Sequence, residues 1–310
     1  MKDYGIAIHG GAGTVSKTGM TKWKAEAYRQ ALKRAYTVGY HTLHKGGSAL
    51  EAVTEAILIL ENSPLFNAGK GSVFTSKGEH EMDASIMDGK KLRAGAVAGV
   101  RQVKNPILLA IAVMKESRHV LISGDQALEF AREHKIELAP REYFYDAARF
   151  KQWQKVAAHD GITLDHDQQD GKKFGTVGAV ALDKKGNLAA GTSTGGMVNK
   201  KYGRIGDSPL TGIGNYANNA SCAISCTGHG EYFIRAVVAH DISARMLYQG
   251  LSLKDASETV VLKLLPEMGG KGGVIGIDGQ GNIAMPFNTK GMYRGFKNSR
   301  NEEFVGIFEK

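Results

Sequence analysis

Hydrophobic and polar positions divide the chain into elements of two periods. Residues 5–9 alternate as in a strand and stop at His9-Gly10-Gly11-Ala12-Gly13, a backbone almost without side-chain bulk, against which another segment must pack. From Thr21 to about His44 apolar residues recur at helical spacing. Ser48 stands where an N-cap would open a second helix through Ala49, Val53, Ile57 and Leu58 to Leu60. The segment 62–71 is irregular; 81–87 and 92–100 read as paired strands around an Asp88-Gly89 turn, and further helices start near Asn105 and Asp125.

At about residues 141–175 apolar periodicity fades and His159, Asp160, Asp165, His166, Asp167 and Asp170 crowd together, so the segment reads as a polar connector. It stops at Gly175-Thr176, after which 177–181 and 188–191 read as a buried hairpin around Asp183-Lys184-Lys185-Gly186-Asn187. A strand at 221–226, one helix at 231–248 with Phe233, Ile234, Val237, Val238, Ile242 and Met246 on its apolar side, and strands at 273–277 and 282–285 finish the pattern. Strands in runs, with helices grouped before and after them, imply an α+β fold of packed, helix-covered sheets rather than a βαβ alternation. There is no internal repeat.

Composition narrows the class. At 310 residues with 42% hydrophobic, 23% charged and 8% aromatic residues, the chain resembles neither a disordered nor a membrane-spanning protein. The 40 glycines, about twice the usual share, mark many tight turns or close backbone approaches. The net charge of +9 is spread over the chain in pairs such as Lys172-Lys173, Lys184-Lys185 and Lys200-Lys201, which reads as a solvated surface with no nucleic-acid partner. Cys222 and Cys226 lack zinc-type spacing and, on a strand, would point the same way into a core. No apolar run suits a signal peptide or a membrane span, so the expected location is cytoplasmic.

Common catalytic signatures, G-x-S-x-G and H-E-x-x-H, are absent, and Gly269-Gly270-Lys271-Gly272-Gly273 lacks the Ser or Thr and the upstream glycine of a phosphate loop. What stands out is small hydroxyls joined to flexible backbone: Gly175-Thr176-Val177-Gly178, Gly191-Thr192-Ser193-Thr194-Gly195-Gly196, Arg204-Ile205-Gly206-Asp207-Ser208 and Ser225-Cys226-Thr227-Gly228-His229-Gly230. A threonine hydroxyl needs an adjacent base, and its own α-amine, with a pKa of about 8, can serve if the threonine is a chain terminus. Thr176 follows a polar connector and opens a buried strand, so cleavage of the Gly175–Thr176 bond would create such a terminus. His9, His229 and His240 read as structural hydrogen-bonders.

The segments His9-Gly10-Gly11-Ala12-Gly13, Phe66-Asn67-Ala68-Gly69, Met82-Asp83-Ala84-Ser85-Ile86-Met87-Asp88-Gly89, Gly175-Thr176-Val177-Gly178-Ala179-Val180-Ala181 and Ser225-Cys226-Thr227-Gly228-His229-Gly230-Glu231 together resemble the plant-type L-asparaginases, also called isoaspartyl peptidases, over nearly the whole chain. The resemblance implies an N-terminal nucleophile hydrolase: a four-layer αββα sandwich, one domain over 1–310, autocleaved into an α chain 1–175 and a β chain 176–310, assembled as a dimer of αβ units. It implies small-molecule substrates, β-aspartyl dipeptides and L-asparagine, with no nucleic-acid or membrane partner. Carried over by position, Thr176 matches the nucleophile, Thr194 its supporting hydroxyl, and Thr227 with Gly228 the oxyanion-stabilising pair. Arg204 matches the grip on the substrate α-carboxylate, Asp207 the partner of its α-ammonium, and Gly230 a backbone position of the same pocket. No cofactor is implied for catalysis; a structural sodium ion is, held by the carbonyls of Leu60, Glu61, Ser63, Phe66, Ala68 and Lys70. The rival readings are a glycosylasparaginase-like hydrolase and a non-enzymatic, glycine-rich polyanion-binding protein.

Overall fold

A computed structural model describes residues 3–13, 20–158 and 175–308. Its first helices are set by their caps. Thr21 Oγ1 accepts from the Lys24 amide at 3.2 Å and opens α1 (Lys22–His44), while Ser48 and Glu51 form a reciprocal capping box that opens α2 (Ala49–Glu61).

Among the described residues the strands form two sheets. The larger has the order β12-β11-β1-β5-β6-β2-β3-β4, built from β1 (Gly5–Gly13), β2 (Met82–Asp88), β3 (Arg93–Val100), β4 (Leu121–Ser123), β5 (Val177–Leu182), β6 (Leu188–Thr194), β11 (Gly291–Asn298) and β12 (Glu303–Phe308). The smaller has the order β10-β9-β8-β7, built from β7 (Asn215–Ala217), β8 (Cys222–Gly228), β9 (Gly272–Asp278) and β10 (Ile283–Ala284). The fold class is α+β, as expected.

Strand alternation assigns side chains to two cores. On β1 and β5, Ile6, Ile8, Val177, Ala179 and Ala181 enter one cluster with Tyr28, Leu32, Val53 and Ile57 of α1 and α2. Their neighbours Ala7, Val180 and Leu182 face the other way and meet Ala223, Ile275 and Ile277 of the small sheet. These strands are therefore apolar on both faces, which is why the sequence shows an unbroken small-apolar run there. A further cluster joins Cys222, Ile224 and Cys226 of β8 to the helical layer over the small sheet. Both thiols are fully buried, and burial pushes their pKa up.

The structure departs from the sequence reading in three places. Within the expected connector lie α5 (Arg141–Phe144) and α6 (Ala147–Ala157), and Phe144, Arg149, Gln152 and Val156 are buried; the acidic part, 159–174, lies outside the described residues. The single helix expected at 231–248 is two, α7 (Gly230–Ala236) and α8 (Val238–Gln249), broken at Val237 with φ +49°. There the Ala239 and His240 amides donate to the Ile213 and Gly212 carbonyls, so the turn before β7 caps α8 and outweighs helical continuity. The pattern also runs past residue 285, since β11 pairs with both β1 and β12. The remaining helices are α3 (Pro106–Glu116), α4 (Gly124–Glu133), α9 (Leu253–Thr259) and α10 (Leu265–Glu267), the last two joined through a π-turn, Val260–Leu264. Among the described residues no helix is long and apolar enough to cross a membrane.

Candidate active site

Thr176 sits immediately before β5 and is 8% exposed. Its hydroxyl lies 3.2 Å from the Ser208 hydroxyl, and its carbonyl accepts from His9 Nδ1 at 2.9 Å. Because a carbonyl only accepts, His9 carries its proton on Nδ1; its Nε2 lies 2.8 Å from Ser225 Oγ, whose hydroxyl also lies within donating distance of the Gly191 carbonyl, at 3.1 Å. Burial pushes the His9 pKa down to about 3, against the opposing Thr176 hydrogen bond, so the ring is neutral at any working pH. Gly178 makes this arrangement possible: a Cβ there would stand 2.0 Å from Ser225 Oγ and 2.5 Å from His9 Nε2.

Thr194 reaches the same end of the large sheet by register, and Thr227 comes from the smaller sheet through a contact with β1. Val177 pairs with Ser193, so the next step of the β5–β6 ladder puts Thr176 opposite Thr194, on one face. Thr194 Oγ1 accepts from the Gly196 amide at 3.0 Å, and Asn67 clamps that turn, donating to the Gly196 carbonyl at 2.8 Å while its own carbonyl accepts from Gly195. Thr227, at the end of β8, is fully buried, and its Oγ1 accepts from the Ala12 amide at 3.3 Å. At Gly228 a Cβ would lie 2.4 Å from the Lys271 carbonyl oxygen, so that backbone admits only glycine.

The glycine-rich end of β1 packs against the chain just before Thr176. Gly11 has φ +111°, and a Cβ on it would stand 2.5 Å from the Gly175 amide nitrogen. Gly11→Ala combines left-handed strain of about 1–2 kcal/mol with this overlap and displaces Gly175. If the chain cleaves itself before Thr176, as the family resemblance implies, that cleavage is expected to slow by about tenfold or more, read as the rate at which full-length chain disappears on a denaturing gel. An unchanged rate would show that the Gly11–Gly175 approach has no part in it.

Arg204, Asp207 and Gly230 come together beside this cluster. A Cβ on Gly230 would lie 2.8 Å from both Arg204 Nη2 and Asp207 Oδ1. Glu231 holds one edge of the guanidinium, Nε to Oε1 at 2.9 Å and Nη2 to Oε2 at 3.0 Å, so the outer Nη1–Nη2 edge is the fork left for a ligand. Burial raises the Glu231 carboxyl, but the Arg204 hydrogen bond and charge outweigh it and hold the group below its usual range. Asp207 is 4% exposed, and burial pushes its pKa up to about 7 even though Arg204 draws it down. Its Oδ2 has no hydrogen-bond partner among the described residues. A buried carboxylate oxygen without a donor is unfavourable unless a ligand supplies one.

Sequence reasoning missed Ser208, Glu231 and Asn67 and gave His9 only a structural role. Each lies within or next to a segment already singled out, but its part depends on contacts between segments far apart in the chain. His229 and His240 stay peripheral: His229 Nε2 is 3.6 Å from Glu231 Oε2, and His240 meets the edge of Tyr216.

Comparison with known proteins agrees with this geometry. Residues 2–307 match the asparaginase family. The chain is 51% identical to the isoaspartyl peptidase of Escherichia coli over 98% of its own length and 95% of that protein. The human isoaspartyl peptidase/L-asparaginase is 41% identical over 93% and 91% of the two chains, and a probable isoaspartyl peptidase/L-asparaginase of Arabidopsis thaliana is 40% identical over the full length of both. The chain belongs to the asparaginase family.

As an asparaginase-family chain it also carries the 60–71 loop expected to hold a cation. Glycines 69 and 71 close that loop: a Cβ on Gly69, at φ +51°, would be 2.5 Å from the Glu61 carbonyl oxygen, and one on Gly71 would be 2.1 Å from that of Phe66. The Leu60 and Ala68 carbonyls accept from Ser63 and Gly71 within the turn. The Glu61 carboxylate points elsewhere, accepting from Ser193 Oγ at 2.6 Å, Asn105 Nδ2 at 3.0 Å and the Ile107 amide at 3.0 Å. It thus ties the loop to β6 one residue before Thr194 and to the start of α3. Among the described residues no group of three His, Cys, Asp or Glu side chains is placed to hold a metal, so a cation here would rest on backbone carbonyls.

Proposed function

We propose that this chain is an autoprocessing amidohydrolase that cleaves β-aspartyl dipeptides and L-asparagine with Thr176 as nucleophile, on the αββα sandwich of the N-terminal nucleophile hydrolases. The observation that carries the reading is the unpartnered Asp207 Oδ2 beside the open edge of Arg204, one residue from Ser208 and hence from the Thr176 hydroxyl. A free α-amino, α-carboxyl substrate needs this combination: a planar cationic fork for the carboxylate and a buried anion for the ammonium. Relatives at 40–51% identity are named isoaspartyl peptidases.

In processing, Thr176 Oγ1 attacks the Gly175 carbonyl, the C–N bond gives way to an ester C–O bond, and the nitrogen takes the proton; water then cleaves the ester, leaving a Gly175 carboxylate and a free Thr176 α-amine. In turnover that amine accepts the hydroxyl proton as Thr176 attacks the substrate's side-chain amide and passes it to the departing amine or ammonia as the C–N bond breaks; water then hydrolyses the β-aspartyl ester, releasing aspartate and restoring the hydroxyl. Thr194 supports the nucleophile. Thr227 Oγ1 accepts from Ala12, so its own proton is left to donate to the developing oxyanion together with the Gly228 backbone. The carbonyls of Leu60, Glu61, Ser63, Phe66, Ala68 and Lys70 would hold a sodium ion, which would supply charge to stiffen the 60–71 loop. By family resemblance the processed αβ unit pairs into a dimer in the cytoplasm.

Intact-mass measurement of the purified protein tests this reading: two fragments are expected, the second beginning at Thr176. A permanently single chain with salt-sensitive polyanion binding would overturn it. The pH profile is a second test. Below pH about 7 Asp207 takes a proton and offers no charge to the ammonium, so kcat/KM should fall on acidification. The same limb should survive in His9→Asn, because His9 does not titrate there; its loss in a folded, processed His9→Asn enzyme would make the histidine the base.

A further inference from the structure

Apart from the Thr176 cluster, a cavity of about 280 Å³ opens between the residues before β2, the end of β3, and helices α4 and α5. It is lined by charges of both signs that balance: Arg101 and Arg141 against Glu79 and Asp125. Arg101 is committed to Glu79 at 3.0 Å and Glu81 at 2.6 Å, whereas Arg141, which also lines the cavity, makes one hydrogen bond among the described residues, from Nη2 to the Gly78 carbonyl. Asp125, in the first turn of α4, makes no ion pair among the described residues, although its charge acts on Arg101.

His80 supplies the second, independent observation. It is 6% exposed, and its Nδ1 donates to the Ser72 carbonyl at 3.0 Å, which puts the proton on Nδ1 and the lone pair on Nε2. That Nε2 has no partner among the described residues and belongs to a side chain lining the cavity. A buried acceptor without a donor points to a ligand that brings one.

We propose that this cavity is a second, non-catalytic site for a free α-amino acid. Arg141 faces its carboxylate, Asp125 and the His80 Nε2 lone pair receive its ammonium, and Leu128 with Phe144 offers contact to an apolar side chain. A simple anion would meet the two carboxylates and a simple cation the two arginines; a zwitterion satisfies both. The volume suits one amino acid.

Calorimetric titration with L-leucine tests this, using the Arg204→Ala protein so that the candidate active site does not contribute. Saturable binding is expected, with 4-methylpentanoate, which lacks the ammonium, and 3-methylbutylamine, which lacks the carboxylate, each at least tenfold weaker. Adding Arg141→Ala or Asp125→Asn should weaken leucine binding tenfold or more. No saturable binding, equal binding of either truncated analogue, or leucine binding unchanged by Arg141→Ala would each overturn the site. Crystals of the unaltered protein soaked in L-leucine ask the same question without a variant: density between Arg141 and Asp125 supports the site, and a cavity without it at saturating leucine overturns it.

Discussion

Thr176→Ala is expected to stay a single full-length chain and to lose hydrolysis of β-aspartyl dipeptides by roughly 10⁴-fold or more, the scale seen when a nucleophile is removed. Both losses would have one origin, because in the proposed mechanism the hydroxyl that opens the Gly175–Thr176 bond is also the one that attacks substrate. The fold should survive. The side chain gives up one neutral hydrogen bond, to Ser208 Oγ, worth about 1 kcal/mol, whereas the His9 contact is to the Thr176 backbone carbonyl and is untouched. A melting temperature within a few degrees of the parent, together with an intact mass for the uncleaved chain, would separate lost chemistry from lost structure. Thr176→Ser keeps a hydroxyl and should retain part of both activities. Two fragments recovered from the alanine variant after long incubation would remove Thr176 from the role of nucleophile.

Much of the fold is readable because its signals are local. Thr21 and the Ser48/Glu51 capping box announce α1 and α2 at the right residues, and the Asp88-Gly89 turn joins β2 to β3. What escapes is decided at a distance. The π-turn and the left-handed Val237 interrupt helical periods for the sake of contacts with other segments, and the Gly212–Ile213 carbonyls that cap α8 come from before β7. The buried face of α6 is formed in part by Arg149 and Gln152, residues that no apolar count would place inside. β11 alternates poorly, with Arg294 and Lys297 among its residues, and its identity as a strand rests on pairing with β1.

The candidate site divides in the same way. The threonines and glycines are visible as motifs, and their grouping follows from the register of β5 on β6 and from the hydrogen bond of the Ala12 amide on β1 to Thr227. The polar frame behind them was not. Ser85 donates to the Ser208 carbonyl, and Asn215 donates to Ser85 at 2.5 Å and to Thr192 at 3.1 Å, a buried net that fixes Ser208 against Thr176 from residues spread over more than a hundred positions. Such a net gives no sequence period, since each member looks like an ordinary strand or turn residue. Its effect is to hold Ser208 against Thr176 through neutral groups alone.

Electrostatics gives the second large expectation. Under the proposed function Arg204→Ala removes the fork for the substrate carboxylate, and loss of a buried charge partner commonly costs roughly 2–5 kcal/mol, or about 30- to 4,000-fold in kcat/KM. The same change acts on Asp207. Arg204 is the largest influence drawing that buried carboxyl down, so without it the pKa rises further above about 7 and the ammonium loses its partner over a wider pH range. The acid limb of kcat/KM should therefore move to higher pH in the variant, a shift that loss of packing alone would not produce. Arg204→Lys keeps a positive charge and should restore the position of the limb, yet remain well below the parent in rate, because an ammonium cannot offer the planar pair of donors. Autocleavage should proceed in both variants, since the chain's own peptide bond presents no zwitterion, and Glu231, half-exposed, remains solvated when its partner is gone. A folded Arg204→Ala protein that fails to process, or one that turns over substrate with an unshifted limb, would show that the Arg204–Glu231 pair serves the structure and not the substrate.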